Sequence, residues 1–431
     1  MNTLLNSLRY IRWLAVTIFV GILLVVTFVV IVDPYSQYRF YEYPGFNTVK
    51  PALARYQNEI KLTQALQLKP NAFILGNSRA EIGFDPDAPN FNQHGLEAYN
   101  LAIPGIGVRT THQQLSYLTQ HGIEPKFILL GLEFLDFVVS PQFQQDSPPK
   151  PQHTAYQKKG IDDWFWKFDS LFSLASVKDS FRTLLIQNDD EAEIMTSRGF
   201  NPLQQYKKIA RTEGYYKLFR QRAEENTKIY LTKAKGVISR EDFDHLHTIF
   251  DIASRYNSEI NLIIYPYHAQ ILALFEETNL WPIFTEWKSL LINEISVAKQ
   301  HHPNLQIILH DFSGYNHYNC ERIPPLGDRE TSTKWYWEAG HFKKELGDII
   351  LEQIFRMRDS MSKIGGDIDG FQTPFGFKLN ESTFLSNQLR IAAERSDCIH
   401  NYPELFAEVV SLTHTWTSTF LQSLQSMISR R

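Results

Sequence analysis

Trp13 to Val32 is a run of twenty consecutive residues without a charge, dominated by Leu, Val, Ile and Phe. At helical rise such a run measures about 30 Å, the thickness of a bilayer's hydrocarbon core, and one spanning helix is its natural conformation. A cleaved signal peptide has an apolar region of roughly 7 to 15 residues and a small-x-small cleavage site. Here the run is longer and exits into Val32-Asp33-Pro34-Tyr35, so a retained anchor is expected over residues 1–32. Arg9 and Arg12 precede the run and Asp33 follows it, which by the positive-inside rule leaves the short N-terminus in the cytoplasm and everything after Asp33 outside. In a Gram-negative cell the expected location is single-pass in the inner (cytoplasmic) membrane, with a periplasmic main domain. No later segment sustains eighteen apolar residues, which excludes a multi-pass transporter.

The chain as a whole has the make-up of globular protein, 43% hydrophobic and 21% charged over 431 residues. Forty-three Lys and Arg against 47 Asp and Glu leave a net charge of -4, without the basic excess that nucleic-acid binding requires, so no nucleic-acid partner is expected. Cys320 and Cys398 are the two cysteines, and neither sits in a zinc-ligand spacing. An oxidising compartment permits a bridge between them worth about 4 kcal/mol of loop entropy; two free thiols are the alternative.

Residues 33–69 read as a lead-in, rich in Tyr and Pro, with one helix around Leu53 to Leu66. Short apolar runs follow. Ala72-Phe73-Ile74-Leu75 ends in Gly76, Ala98 to Ala102 ends near Pro104-Gly105, and Phe127-Ile128-Leu129-Leu130 ends in Gly131. Ile260 to Tyr265 and Leu305 to Leu309 repeat the pattern, with helical stretches at Thr110 to Gln120 and Ile283 to Lys299. Strands alternating with helices predict an α/β domain over about 70–360, its sheet mostly parallel and covered on both faces. The third and fourth strands are separated by a long helical insertion, about 136–255, whose front half carries Pro148, Pro149 and Pro151 and whose Tyr206 to Ala234 stretch is dense in charge. Lys207-Lys208 reads as a solvated helix face, with polyanion or phospholipid contact as the rival. Beyond Gly365-Gly366, residues 361–431 read as a helical C-terminal extension, with helices at Phe384 to Arg395 and Leu405 to Ile428.

Ile74-Leu75-Gly76-Asn77-Ser78-Arg79 puts a serine just beyond a buried strand, where the carboxyl ends of parallel strands build open sites. A serine hydroxyl needs a base in hydrogen-bond reach, and that base needs a third group to orient it. Among fourteen histidines His341 has the best context, in Glu338-Ala339-Gly340-His341 after the last expected strand. Glu338, three residues earlier, reaches the ring and selects the tautomer that leaves the other nitrogen free. Asp311, ending the last strand, is the rival acid; it serves equally as a turn cap. His268 also ends a strand and either lines the site or begins the next helix. Trp335, Tyr336 and Trp337 suit either sugar stacking or core packing.

On Gly76-Asn77-Ser78-Arg79, Asn100-Leu101-Ala102-Ile103-Pro104-Gly105, Gly131-Leu132-Glu133-Phe134 and Glu338-Ala339-Gly340-His341, the chain resembles the SGNH (GDSL-like) hydrolase superfamily. The likeness is to its membrane-anchored branch, similar to the alginate O-acetylation proteins AlgJ and AlgX and to DltD, and spans roughly Pro70 to Ile354. The resemblance implies an SGNH-like (flavodoxin-like) fold, Ser78 as nucleophile, His341 as base, and Gly105 as a backbone donor to the oxyanion, with Asn100 in the same block. It implies a surface or exported polysaccharide as substrate, a multi-pass acyltransferase as partner, and no metal or organic cofactor. Glu133 stands where the family usually supplies an Asn donor, and a carboxylate aimed at a developing oxyanion raises the barrier. Arg79 either compensates by holding a negative substrate group or makes an ion pair. The expected activity is a Ser-His acyl esterase or O-acyltransferase. A catalytically inactive scaffold or glycan-binding subunit is the alternative.

Overall fold

In chain order the main elements begin with α1 (Asn2–Val32), α2 (Gln57–Leu68), β1 (Ala72–Leu75), α3 (Ser78–Gly83), β2 (Ala98–Asn100), α4 (Val108–Gln120) and β3 (Phe127–Leu132). Next come α5 (Trp164–Phe172), α6 (Leu174–Leu185), α7 (Tyr215–Lys233), α8 (Glu241–Arg255), β4 (Glu259–Ile264), α9 (Ala269–Glu277), α10 (Trp281–His301) and β5 (Gln306–Asp311). A hairpin of β6 (Tyr336–Glu338) and β7 (His341–Phe342), then α11 (Lys344–Ile364), β8 (Phe377–Lys378), α12 (Phe384–Asn401) and α13 (Pro403–Ile428) complete the chain. The computed structural model describes residues 2–141, 164–364 and 375–428. Pro148, Pro149, Pro151, Gly365 and Gly366 lie outside the described residues.

The chain forms two compact units, Met1–Gln64 with Pro149–Ser197, and Ala65–Pro148 with Arg198–Arg431. In the first, α1 is long and apolar enough to cross a membrane. Its last carbonyls would be orphaned at the helix end. Lys50 Nζ donates to the Val32 and Asp33 carbonyls at 3.1 and 2.7 Å, and Asn47 Nδ2 to that of Ile31 at 3.1 Å. Asp33 turns the chain at φ 47°, and its carboxylate takes the N–H groups of Gln37, Tyr38 and Arg39.

The second unit is mixed α/β, built on a six-stranded sheet in the order β8-β5-β4-β3-β1-β2. The five strands from β5 to β2 are parallel, and β8 adds antiparallel at one edge. Every residue of β1 and β3 is buried. Successive strand side chains point to opposite faces, so both faces of the sheet are covered. The order 2-1-3-4-5 reverses at β1, and the crevice beyond the carboxyl ends of β1 and β3 is the topological switch point where such sheets place their sites.

Tyr265, just past β4, lies across the ends of both strands. A Cβ on Gly131 would sit 2.0 Å from its hydroxyl, and one on Gly76 2.5 Å from the same atom. Gly76 also has φ +134°, a conformation side-chain-bearing residues rarely adopt.

Two boundaries drawn from sequence move. The insertion is not one body: Ile194–Met195 pairs with Lys50–Pro51 and α6 packs on α1, so its front belongs with the lead-in and the anchor. Tyr206 to Ala234 is two helices, because Gly214 (φ +84°) breaks it. The C-terminal extension belongs to the second unit. β8 extends the sheet, Asn387 Nδ2 donates to the buried Asp311 carboxylate at 2.7 Å, and Arg395 pairs with Glu276. Cys320 and Cys398, 78 positions apart with Cα atoms at 6.0 Å, form a disulfide that ties α12 to the loop after β5.

Gly131→Ala should cost about 1 to 3 kcal/mol by forcing buried Tyr265 aside, read as a lowered midpoint in urea. Cys398→Ser should lower stability by about 2 to 4 kcal/mol, a change that reductant reproduces on the wild-type chain.

Candidate active site

β1 delivers the serine. The strand ends at Gly76, Asn77 adopts the extended cap conformation, and its Oδ1 accepts the Arg79 N–H at 3.0 Å, so Ser78 is the first residue of the six-residue α3. A helix's first N–H groups have no intrahelical partner. Ser78 is half-buried, with its hydroxyl free to meet a partner from elsewhere.

That partner is His341. Ser78 Oγ–H donates to His341 Nε2 at 2.8 Å, across 263 sequence positions. The other ring nitrogen, Nδ1, hydrogen-bonds the Glu338 carboxylate, which fixes the tautomer: Nδ1 carries the proton and Nε2 accepts. Packing brings the segments together. Phe342, next to His341, fills the space over Gly83, where a Cβ would stand 1.9 Å from its ring. The Gly83 carbonyl in turn lies where a Cβ on Gly347 of α11 would be, at 1.7 Å.

Glu338 is buried, its side chain 2% exposed. Its Oε2 accepts the Gly340 N–H at 2.7 Å and Arg222 Nε–H, from α7, at 3.0 Å. Burial pushes this carboxyl up, but His341, Arg222 and the Gly340 N–H together outweigh it and hold the group down at about 2. Glu321 clamps the strand leading to it, accepting the N–H groups of Trp335 and Tyr336 at 3.0 and 3.1 Å.

The loop after β2 lies beside the serine. Leu101 N–H donates to Ile74 O at 2.8 Å and Ile103 N–H to Gly76 O at 3.1 Å. Gly105 is exposed, with φ +73° and open space where a Cβ would be. Among the described residues no acceptor takes the Ser78 or Gly105 backbone N–H.

Asn100 is not an oxyanion or substrate residue: both amide hydrogens are committed, to Ala80 O at 2.9 Å and Phe84 O at 2.8 Å, and Oδ1 accepts the Ala102 N–H at 3.0 Å. Its work is to join β2 to α3. Glu133 is 7% exposed and its carboxylate is taken up by an ion pair with Arg79, by Tyr267 O–H at 3.2 Å and by Asn77 Nδ2 at 3.5 Å. Arg79 lies over the Tyr267 and Tyr265 rings, 4.9 and 5.8 Å from their centroids. Its charge is therefore spent internally, and the expectation that it holds a negative substrate group gives way to the ion pair.

Asp311 does not orient His341. It is fully buried and bound by Lys288 Nζ at 2.7 Å, Asn387 Nδ2 at 2.7 Å and Ser313 Oγ at 2.6 Å. His268 does not line the site. It caps α9 by accepting the Gln270 N–H on Nδ1, donates from Nε2 to Glu321 O at 2.8 Å, and burial pushes its pKa down to about 4. Tyr336 and Trp337 are core residues, Tyr336 O–H donating to Asn319 Oδ1 at 2.8 Å with Pro266 O also in reach at 3.0 Å. Arg222 and Glu321 escaped the sequence reading, since an Arg on a charge-dense helix and a Glu in a loop carry no local signal.

No protein-family profile matches this chain, and no curated protein matches it.

Because the folded Glu338 value lies below the ordinary 4.5, its stabilisation is complete above 4.5 and is lost as pH falls through about 2. Across that window the wild type should lose on the order of 1 kcal/mol per pH unit more than Glu338→Gln, measured by urea melts at stepped pH.

Proposed function

We propose that this chain is a membrane-anchored, extracytoplasmic serine esterase or O-acyltransferase of the SGNH (flavodoxin-like) type, acting on an acylated surface or exported polysaccharide. The observation that carries the reading is the linked contact of Ser78 Oγ, His341 and buried Glu338 at the switch point of a parallel sheet. The anchor reading draws on the uncharged run of α1 and on Arg9 and Arg12 before it, which orient the main domain outward. The disulfide suits an oxidising compartment.

In the proposed reaction Ser78 Oγ attacks the acyl carbonyl carbon while His341 Nε2 takes the hydroxyl proton. The backbone N–H groups of Ser78 and Gly105 hold the tetrahedral oxyanion, two donors in place of three. Collapse breaks the ester bond, and His341 returns the proton to the departing alcohol. A second hydroxyl, from water or a sugar, then gives its proton to Nε2 and attacks the acyl-serine carbonyl; the bond to Ser78 Oγ breaks, His341 returns the proton to Oγ, and the acyl group leaves on the second oxygen. Glu338 stays ionised throughout, so the imidazolium forms beside a fixed negative charge.

Glu133 favours a second reading, a silent scaffold or glycan-binding subunit, because it stands where a side-chain donor is expected. The two separate on the full chain in detergent with a fluorophosphonate probe and a chromogenic acetyl ester. The enzyme reading expects wild-type labelling and turnover, with Ser78→Ala losing the label and ~10³-fold or more in rate. Glu338→Gln should keep substrate affinity while kcat falls ~10²- to 10⁴-fold. Equal behaviour of wild type and Ser78→Ala on several acyl donors sinks the enzyme reading.

A further inference from the structure

Helix α6 is inside out for a protein surrounded by water. Its buried face carries small hydroxyl residues, Ser176, Ser180 and Thr183, while Leu174, Phe181 and Leu185 are 89%, 55% and 81% exposed. The exposed residues recur at spacings of seven and four along one face of the helix, with Lys178 between Leu174 and Phe181. The buried hydroxyls are satisfied within the turn, Ser180 Oγ–H donating to Ser176 O at 2.8 Å and Thr183 Oγ1–H to Asp179 O at 2.8 Å. Small, internally satisfied residues let a helix pack closely where the outer medium is hydrocarbon. The preceding helix, α5, exposes Phe168 and Phe172, stacked on each other at 4.4 Å.

The depth of this stripe follows from α1. Phe181 lies against Phe28, ring centroids 5.0 Å apart, and Phe28 stands four residues before Val32. If the uncharged run fills the hydrocarbon core, that contact lies about 6 Å below its outer boundary. Sliding α1 outward to lift Phe181 clear would draw Arg12 into the core, which a charge resists. The helix cannot swing away, since Asp179 is tied to Tyr35 O–H at 2.8 Å and Arg55 at 3.2 Å. Phe40, Tyr41 and Tyr43, just beyond α1, are exposed aromatics of the kind that gather at membrane interfaces. Lys178, exposed on the same face of α6, has a stem long enough to carry its charge up to the phosphates.

We propose that α5 and α6 form a second membrane element that does not span but lies in the outer-leaflet interface, the exposed stripe immersed in the acyl chains of the bilayer that α1 crosses. This rests on the reading of α1 as a spanning anchor. The test uses the full chain in vesicles of phosphatidylcholine and phosphatidylglycerol. Both native cysteines are bridged, so one introduced thiol takes an environment-sensitive fluorophore alone. Labels at Leu174→Cys and Leu185→Cys should shift to the blue and lose most of their emission to phospholipids spin-labelled on the acyl chain. A label at exposed Asp190→Cys should do neither. Leu23→Cys reports the anchor itself. If Leu23→Cys is quenched while the α6 labels match Asp190→Cys, the anchor reading stands and this inference falls. If the α6 labels shift to the blue but lipid does not quench them, protein covers the face and the inference falls. If Leu23→Cys also goes unquenched, the anchor reading itself has failed.

Discussion

A carboxylate buried away from water must be paired, and Glu338 is paired from three directions at once. His341 reaches it from the hairpin, Arg222 from α7, and Gly340 from the turn between β6 and β7. Removing any one leaves a buried charge less compensated, which binds hairpin, helix and turn into one rigid piece. The imidazole that results is fixed in tautomer and direction, with Nε2 turned to Ser78. Ser78 meets it because α3 is pressed onto Phe342 and α11 through two glycine contacts that no larger residue allows.

The same economy of space governs the sheet end. Gly76 and Gly131 admit the Tyr265 side chain across the ends of β1 and β3, and Asn100 stitches β2 to α3 with backbone-directed hydrogen bonds. Glu133 enters this setting as half of a buried ion pair with Arg79. Its carboxylate is neutralised by the guanidinium, Tyr267 and Asn77 together. The charge that the linear motif placed against an oxyanion is thus cancelled locally, at the cost of a side-chain donor.

The unit carrying α1 follows a different solvent logic. In the α/β unit strands β1 and β3 are buried on both faces. In α6 hydroxyls point inward and Leu and Phe outward. The exposed Leu and Phe of α6 are what the proposed placement in the bilayer interface rests on.

The alternation of short apolar runs with helical stretches was legible because strand burial and helix periodicity are local properties: Phe127 to Leu130 and Thr110 to Gln120 lie inside β3 and α4 as read. Ser78, Glu338 and His341 were legible for the same reason, each marked by its own turn chemistry. Asp311, His268, Asn100 and Arg79 were ambiguous in sequence, since a strand-end Asp or His looks alike whether it faces a cleft or a lysine. Lys288, Glu321, Ala80 and Glu133 decided them, partners supplied by packing rather than by neighbours in the chain. By itself, then, the sequence determined the apolar first helix, the strand and helix alternation and the residue types able to make the contact. Only the tertiary structure decided that Asp311 belongs to Lys288 and Asn387 and not to His341, that Arg222 backs Glu338 and that the C-terminal helices belong to the sheet, because those depend on contacts between residues tens to hundreds of positions apart.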